Sequence, residues 1–204
     1  MTRSYGLLCS PRKLRSGQLA ADPGYAPIST YAFGLKFTLA GQMRASGFIL
    51  EGLRKNGYPA KVYLAPGKRW RMSLEFEVEE RSAFLAMSGA IAAVRRAKPG
   101  LHFVEALPDL VGLATVADFA GCSRQNLRMR SLMDPTFPLA AHEGHPELFH
   151  LIDLLDWVRR RRQIPLPREL VDVAAVAREL NLARQAGGLA GWRLPDRSRE
   201  LIPG

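Results

Sequence analysis

Cysteine is scarce in this chain: Cys9 and Cys122 are the only two in 204 residues, and they lie far apart. That excludes a disulfide framework and a cysteine-rich zinc site, and it fits a reducing cytoplasm. Long apolar runs are also missing. Ala83 to Val94 is among the longest, but Ser88 and Gly89 interrupt it, and it falls short of the roughly twenty residues a membrane span requires. No membrane partner is therefore expected. Tyr5 to Cys9 is too brief for the apolar region of a secretory signal, and basic residues follow it instead of preceding it. Acids are outnumbered, 19 against 29 Lys and Arg, which leaves a net charge of +10 and a pI near 10.2. Such a balance favours a polyanionic partner.

Catalytic patterns are lacking too. Residues 31–108 contain no glycine-rich phosphate loop, no paired carboxylates and no Ser/His or Cys/His constellation. The chain is accordingly not expected to be an enzyme, and no cofactor is expected. His142, His145 and His150 fall within nine residues of one another, but no cysteine or suitably placed carboxylate completes a ligand set, so no metal is expected.

What is present is periodicity. With 47% hydrophobic residues the chain can build two small domains. Residues 1–30 hold Arg12, Lys13 and Arg15 without periodicity and read as a basic flexible arm. Tyr31, Phe33, Leu35, Phe37 and Leu39 alternate as in a half-buried strand, and Trp70, Met72, Leu74, Phe76 and Val78 repeat the pattern. Arg44 to Asn56 predicts a helix presenting Phe48, Ile49 and Leu53. Lys61 to Leu64 predicts a strand, and Arg81 to Lys98 a helix with Phe84, Leu85, Met87, Ala90, Ile91 and Val94 inward. Leu101 to Leu107 supplies a last strand. The order β-α-β-β-α-β over residues 31–108 predicts an α+β chain whose first domain is ferredoxin-like, a four-stranded antiparallel sheet with two helices on one face. Lys68, Arg69 and Arg71 beside Trp70 could track a nucleic-acid backbone. Hairpin charges facing water, with Trp70 in the core, is the plainer alternative.

After a short linker at Pro108 to Leu113 comes a second domain, residues 109–163. Val116, Ala117, Phe119 and Ala120 give a short helix that Gly121 can stop in the left-handed conformation. Ser123 is placed to cap a second helix whose first turn displays Arg124, Gln125 and Asn126. Two short helices joined by a glycine turn, with donors at the start of the second, form a helix-turn-helix able to enter a DNA major groove. Asp134-Pro135 breaks the chain, and the turn Glu143 to Pro146 suggests a β-hairpin wing. Leu151 to Arg162 reads as a helix with Leu151, Leu154, Leu155 and Val158 at core spacing. Within 164–204, Pro167 to Ala186 forms an amphipathic helix with Leu170, Val173, Ala174, Ala177 and Leu180 in one stripe; it either covers its own domain or pairs with a second copy. Gly187 onward reads as a loose tail in which Trp192 could dock.

The run from Thr115 to Arg128, then Phe137-Pro138, a glycine-turn hairpin and Leu151 to Trp157, resembles the excisionase-like (AlpA/MerR-type) winged helix-turn-helix family. Cys122 stands where that pattern usually has a small aliphatic residue, and Arg130 where an aromatic core residue is common. The resemblance implies sequence-specific binding of double-stranded DNA by a bacterial transcriptional regulator. Its contacts would come from Ser123, Arg124, Gln125, Asn126, Arg128 and Arg130, with the wing contributing His142 and His145. Arg can bind guanine, and Gln or Asn adenine, each through two hydrogen bonds. A homodimer is expected, with the N-terminal domain serving oligomerisation or sensing a small-molecule effector. The charges qualify this expectation: residues 109–163 carry seven arginines and seven acids, a net of zero, whereas 31–108 carry +6. That distribution keeps open an adaptor whose helix-turn-helix docks protein and whose basic N-terminal domain binds RNA or an acidic partner.

Overall fold

Alternation along the first strand decides the architecture. In the computed structural model, which describes residues 27–39, 46–64, 71–162 and 166–188, β1 (Ser29–Leu39) turns Tyr31, Phe33, Leu35 and Phe37 to one buried face. Strand β3 (Arg71–Glu80) does the same with Met72, Leu74, Phe76 and Val78, and the antiparallel register sets Phe33 opposite Phe76 and Leu35 opposite Leu74. The Phe33 and Phe76 rings stack with centroids 5.3 Å apart. With β2 (Ala60–Leu64) outside β3 and β4 (Leu101–Leu107) outside β1, the sheet runs β2-β3-β1-β4, antiparallel throughout.

Helices α1 (Ser46–Lys55) and α2 (Ala83–Ala97) pack on the apolar face through Ile49, Leu53, Met87 and Val94. Two expectations about their faces fail. Phe84 and Leu85, and likewise Phe48, are exposed. Ser82 caps α2 by accepting the Leu85 amide at 3.2 Å. From that start a 3.6-residue period aligns Ala83, Ala86, Met87, Ala90 and Val94 inward and turns 84 and 85 away. Alanines thus form much of the contact, and Gly89 lies so close under the Tyr58 phenol that any β-carbon there would displace it.

A second group of buried apolar residues forms after the sheet. It joins β5 (Leu110–Val111), α3 (Leu113–Ala120), α4 (Arg124–Met133), β6 (Phe149–His150) and α5 (Leu151–Arg162). The stretch expected to be a plain linker is instead paired, since Leu110 and Val111 of β5 lie against His150 and Phe149 of β6. The expected wing is correspondingly reduced. Between Leu139 and Leu148 one bridge forms, His142 with Leu148, closed by backbone bonds of 3.1 and 3.0 Å. Pro146 has no amide hydrogen to extend a ladder, and Phe149 and His150 are already taken by β5. Phe137 sits under this loop, its ring 4.8 Å from Trp157 and 5.7 Å from Phe149.

Both apolar groups share one helix, α6 (Arg168–Gly188), which gives Val173 and Ala177 to the sheet and Ala174 to the second group. The stripe that could have paired with a second copy is therefore buried within the chain, Leu170 and Leu180 being part-buried at its ends. Arg178 adds an ion pair to Asp153 of α5 at 2.6 Å. Deeper in, Asn181 accepts the Ala106 amide at 2.7 Å and donates to the Ala106 carbonyl at 3.0 Å and to Asp109 Oδ2 at 2.8 Å. Asp109 Oδ1 accepts a hydrogen bond from His150 Nδ1 at 2.6 Å, and its carbonyl accepts the Leu151 amide at 2.7 Å. Asp109 and Asn181 are 3% and 5% exposed, so these bonds satisfy groups that water cannot reach.

The basic arm up to residue 26, Lys68, Arg69, Trp70 and the tail with Trp192 lie outside the described residues. Among the described residues no helix is long and apolar enough to cross a membrane.

Replacing Asn181 with Ala strands the Ala106 backbone pair and one Asp109 oxygen. Urea unfolding is expected to show a loss of about 3 kcal/mol. Arg178→Ala, which breaks a part-exposed ion pair, should cost less than about 1 kcal/mol. Equal effects from the two would contradict the role given to the buried bonds.

Candidate nucleic-acid interface

The turn between α3 and α4 follows from two residues. Gly121 takes φ 56° and ψ 37°, the left-handed region, and the Cys122 amide returns to the Ala117 carbonyl at 3.1 Å. Ser123 Oγ then accepts the Asn126 amide at 3.1 Å and fixes the start of α4. Val116 and Ala117 hold α3 in the core, while Leu127 is the buried residue of α4. One anchor on a ten-residue helix leaves most of its surface to solvent. Side chains of Phe119 and Ala120 lie outside the described residues.

Six of the expected contact residues are thus gathered on one helix and its cap. They do not stand equally. Arg130 is part-buried and its Nε donates to Asn126 Oδ1 at 2.9 Å, so these two engage each other. Ser123, Arg124, Gln125 and Arg128 are exposed, and among the described residues no side-chain hydrogen bond or ion pair holds Arg124, Gln125 or Arg128. Their guanidinium and amide donors stand exposed along the first turn and a half. A wide-mouthed groove of about 690 Å³ runs beside them, lined by Gln125, Asn126, Met129, Arg130 and Met133 among others. His142 and His145 are exposed on the separate 142–148 loop, and neither lines that groove. His150, the third histidine, is committed to Asp109. Among the described residues no three His, Cys, Asp or Glu side chains are gathered as a metal would require.

The far end of α4 is held by residues that local sequence reasoning missed. Asp134 caps the helix, its amide bonding the Arg130 carbonyl at 2.8 Å. Its Oδ1 accepts from Thr136 Oγ1 at 2.7 Å, from the Thr136 amide at 2.9 Å and from Arg161 of α5 at 3.1 Å. Arg161 also reaches Thr136 Oγ1 at 2.8 Å. The Thr136 hydroxyl and amide, with help from Arg161 and Arg130, hold the Asp134 carboxyl below its ordinary range. This cluster ties the end of α4 to α5 and offsets a carboxylate at a helix C-terminus, where it would otherwise be disfavoured.

Such pairings also resolve the zero net charge. Asp109, Asp134, Asp153 and Asp156 are engaged by His150, Arg161, Arg178 and Arg159 respectively. Arg124 and Arg128 have no such partner among the described residues, so the local field on α4 is positive although the segment is neutral. On the open face of the sheet, by contrast, Glu75, Glu77, Glu79 and Glu105 stand among Lys36, Lys61 and Arg71. Glu105 holds Lys36 at 2.6 Å. That face is mixed in charge, and Tyr63 is its exposed aromatic residue among those described. No family model and no curated protein matches the sequence.

Two outcomes are expected here. Ser123→Ala removes the cap and should lower stability by about 1 kcal/mol in chemical unfolding. For Asp134 the folded-state pKa is the lower one, so its contribution is present at neutral pH, declines as pH falls through the ordinary carboxylate range, and is gone below the folded value. The stability gap between the native chain and Asp134→Asn should therefore close on acidification; a gap independent of pH would refute the assignment.

Proposed function

We propose that this protein binds double-stranded DNA in a sequence-specific manner and acts as a bacterial-type transcriptional regulator. The observation that carries the reading is the first turn and a half of α4. There Arg124, Gln125 and Arg128 are exposed and without side-chain partners among the described residues, on a helix with three arginines and no acid. Free guanidinium and amide donors can meet base edges in a major groove. In this reading α3 and α4 are a helix-turn-helix of the excisionase-like winged type, and the 142–148 loop with His142 and His145 is a shortened wing. Arg160, exposed at the end of α5, adds a phosphate contact that positions without specifying.

The sheet with α1 and α2 has the strand order expected of a ferredoxin-like domain and serves assembly or the sensing of a small molecule. The active form is a cytoplasmic homodimer, since one half-site seldom gives regulatory affinity. Because the α6 stripe is occupied inside the chain, the dimer contact lies on another surface. The mixed charge of the open sheet face gives little support to the alternative in which that face binds RNA.

Fluorescence anisotropy with duplexes selected from a random pool tests the proposal. Arg124→Ala with Arg128→Ala should weaken binding by at least tenfold. If both contact phosphate, the slope of log K against log salt should fall by about 2; if one reads a base, by about 1 with relaxed sequence preference. Binding unchanged by the double replacement would sink the assignment of α4 as the reading helix.

A further inference from the structure

The second half of α4 presents a different surface from the first. Met129, Leu132 and Met133 are 53%, 70% and 76% exposed. Isolated exposed apolar side chains are ordinary. Three large ones within five residues of a solvent-facing helix are harder to account for, because an amphipathic helix places polar residues there. Their positions are ordered. Residues four apart lie above one another on a helix, so two adjacent rows form: Arg124, Arg128, Leu132 and Gln125, Met129, Met133. Each row begins with hydrogen-bond donors and ends with apolar groups, along one exposed face. Met129 and Met133 also line the groove beside the helix.

Resting on the reading above, we infer that Met129 and Leu132 are specificity-determining residues that contact the C5-methyl groups of thymines in the major groove. The occupant is set by charge as well as by shape. Helix α4 carries three arginines and no acid, so a partner covering Met129 and Leu132 must lie against Arg124 and Arg128 at the same time. A duplex offers negative phosphates, hydrogen-bond acceptors on purines and apolar methyls on thymines within one groove. Gln125 satisfied by an adenine, with Met129 one helical turn further on, places an apolar side chain about 6 Å along the helix axis. That is close to two base steps away, where a thymine methyl can meet it. Methionine suits such a contact because its unbranched thioether adapts to the shape it meets. Arg130 donates to Asn126 and belongs to neither row.

The test uses the full chain and duplexes it selects from a random pool. Once a consensus is in hand, each thymine is replaced singly by deoxyuridine, which removes the methyl and leaves base pairing intact. At one or more positions per half-site the native chain should bind the uracil duplex about fourfold more weakly, the worth of one buried methyl. Met129→Ala or Leu132→Ala should abolish the difference at its own position while leaving the helical signal in circular dichroism unchanged. Uniform tolerance of deoxyuridine in a chain that binds its consensus overturns this inference and leaves the DNA-binding reading standing. Failure to select any duplex overturns both. Loss of self-association in Met129→Ala, with the thymine-to-uracil difference intact, assigns the apolar rows to a second copy and likewise overturns the inference.

Discussion

Everything after the sheet depends on a few buried hydrogen bonds around Asp109. Its carboxylate is met by Asn181 on one side and His150 on the other, its carbonyl takes the first amide of α5, and Asn181 returns to both backbone groups of Ala106. A buried carboxylate is costly unless its oxygens are satisfied, and here each has a partner on a different element. The geometry therefore admits one arrangement of β4, β6, α5 and α6 and penalises others. Apolar packing alone is non-directional; it would bring these elements together without fixing their mutual register.

From that fixed point the exposed helix is positioned at both ends. Ser123 and Gly121 settle where α4 begins, and Asp134 with Thr136 and Arg161 settle where it stops against α5. Between the two, Leu127 is its buried residue. A helix so thinly embedded is held mainly by its ends, which frees its outer rows for contact and keeps them from tumbling. Rigid presentation of this kind lowers the ordering cost of binding.

Much of this was legible in the residues and some was not, for definite reasons. The strands β1 and β3 announced themselves because period-two alternation is a local property, as did the Gly121 stop and the Ser123 cap. The phase of α2 is not legible locally because Phe84 and Leu85 are the most apolar residues in their turn, whereas the helix buries its alanines to approach the sheet. Pro146 was readable as a turn former, yet its veto on a longer ladder mattered only once Phe149 and His150 had a competing partner in β5. Asn181 and Asp109 lie 72 residues apart, and nothing near either one signals the other. Net charge misled in the same way, since it counts the acids that arginines and a histidine occupy along with those that face solvent. The apolar ends of the rows on α4 have no counterpart in the sequence reading, because spacing alone does not say which face is buried; Leu127 as the anchor decides it.

The sharing of α6 between the two apolar groups also bears on how the chain comes into being. Residues join the protein in order, and Val173, Ala174 and Ala177 follow every other member of both groups along the sequence. A ribosome that has delivered the sheet and α3 to α5 has delivered two surfaces that still lack their common cover. Domains that close early can fold while translation continues, but neither half of this one can be completed until its late helix has emerged. For the interval set by the elongation rate, both unfinished faces would be natural substrates for chaperones, and release of the last turns of α6 would seal them together.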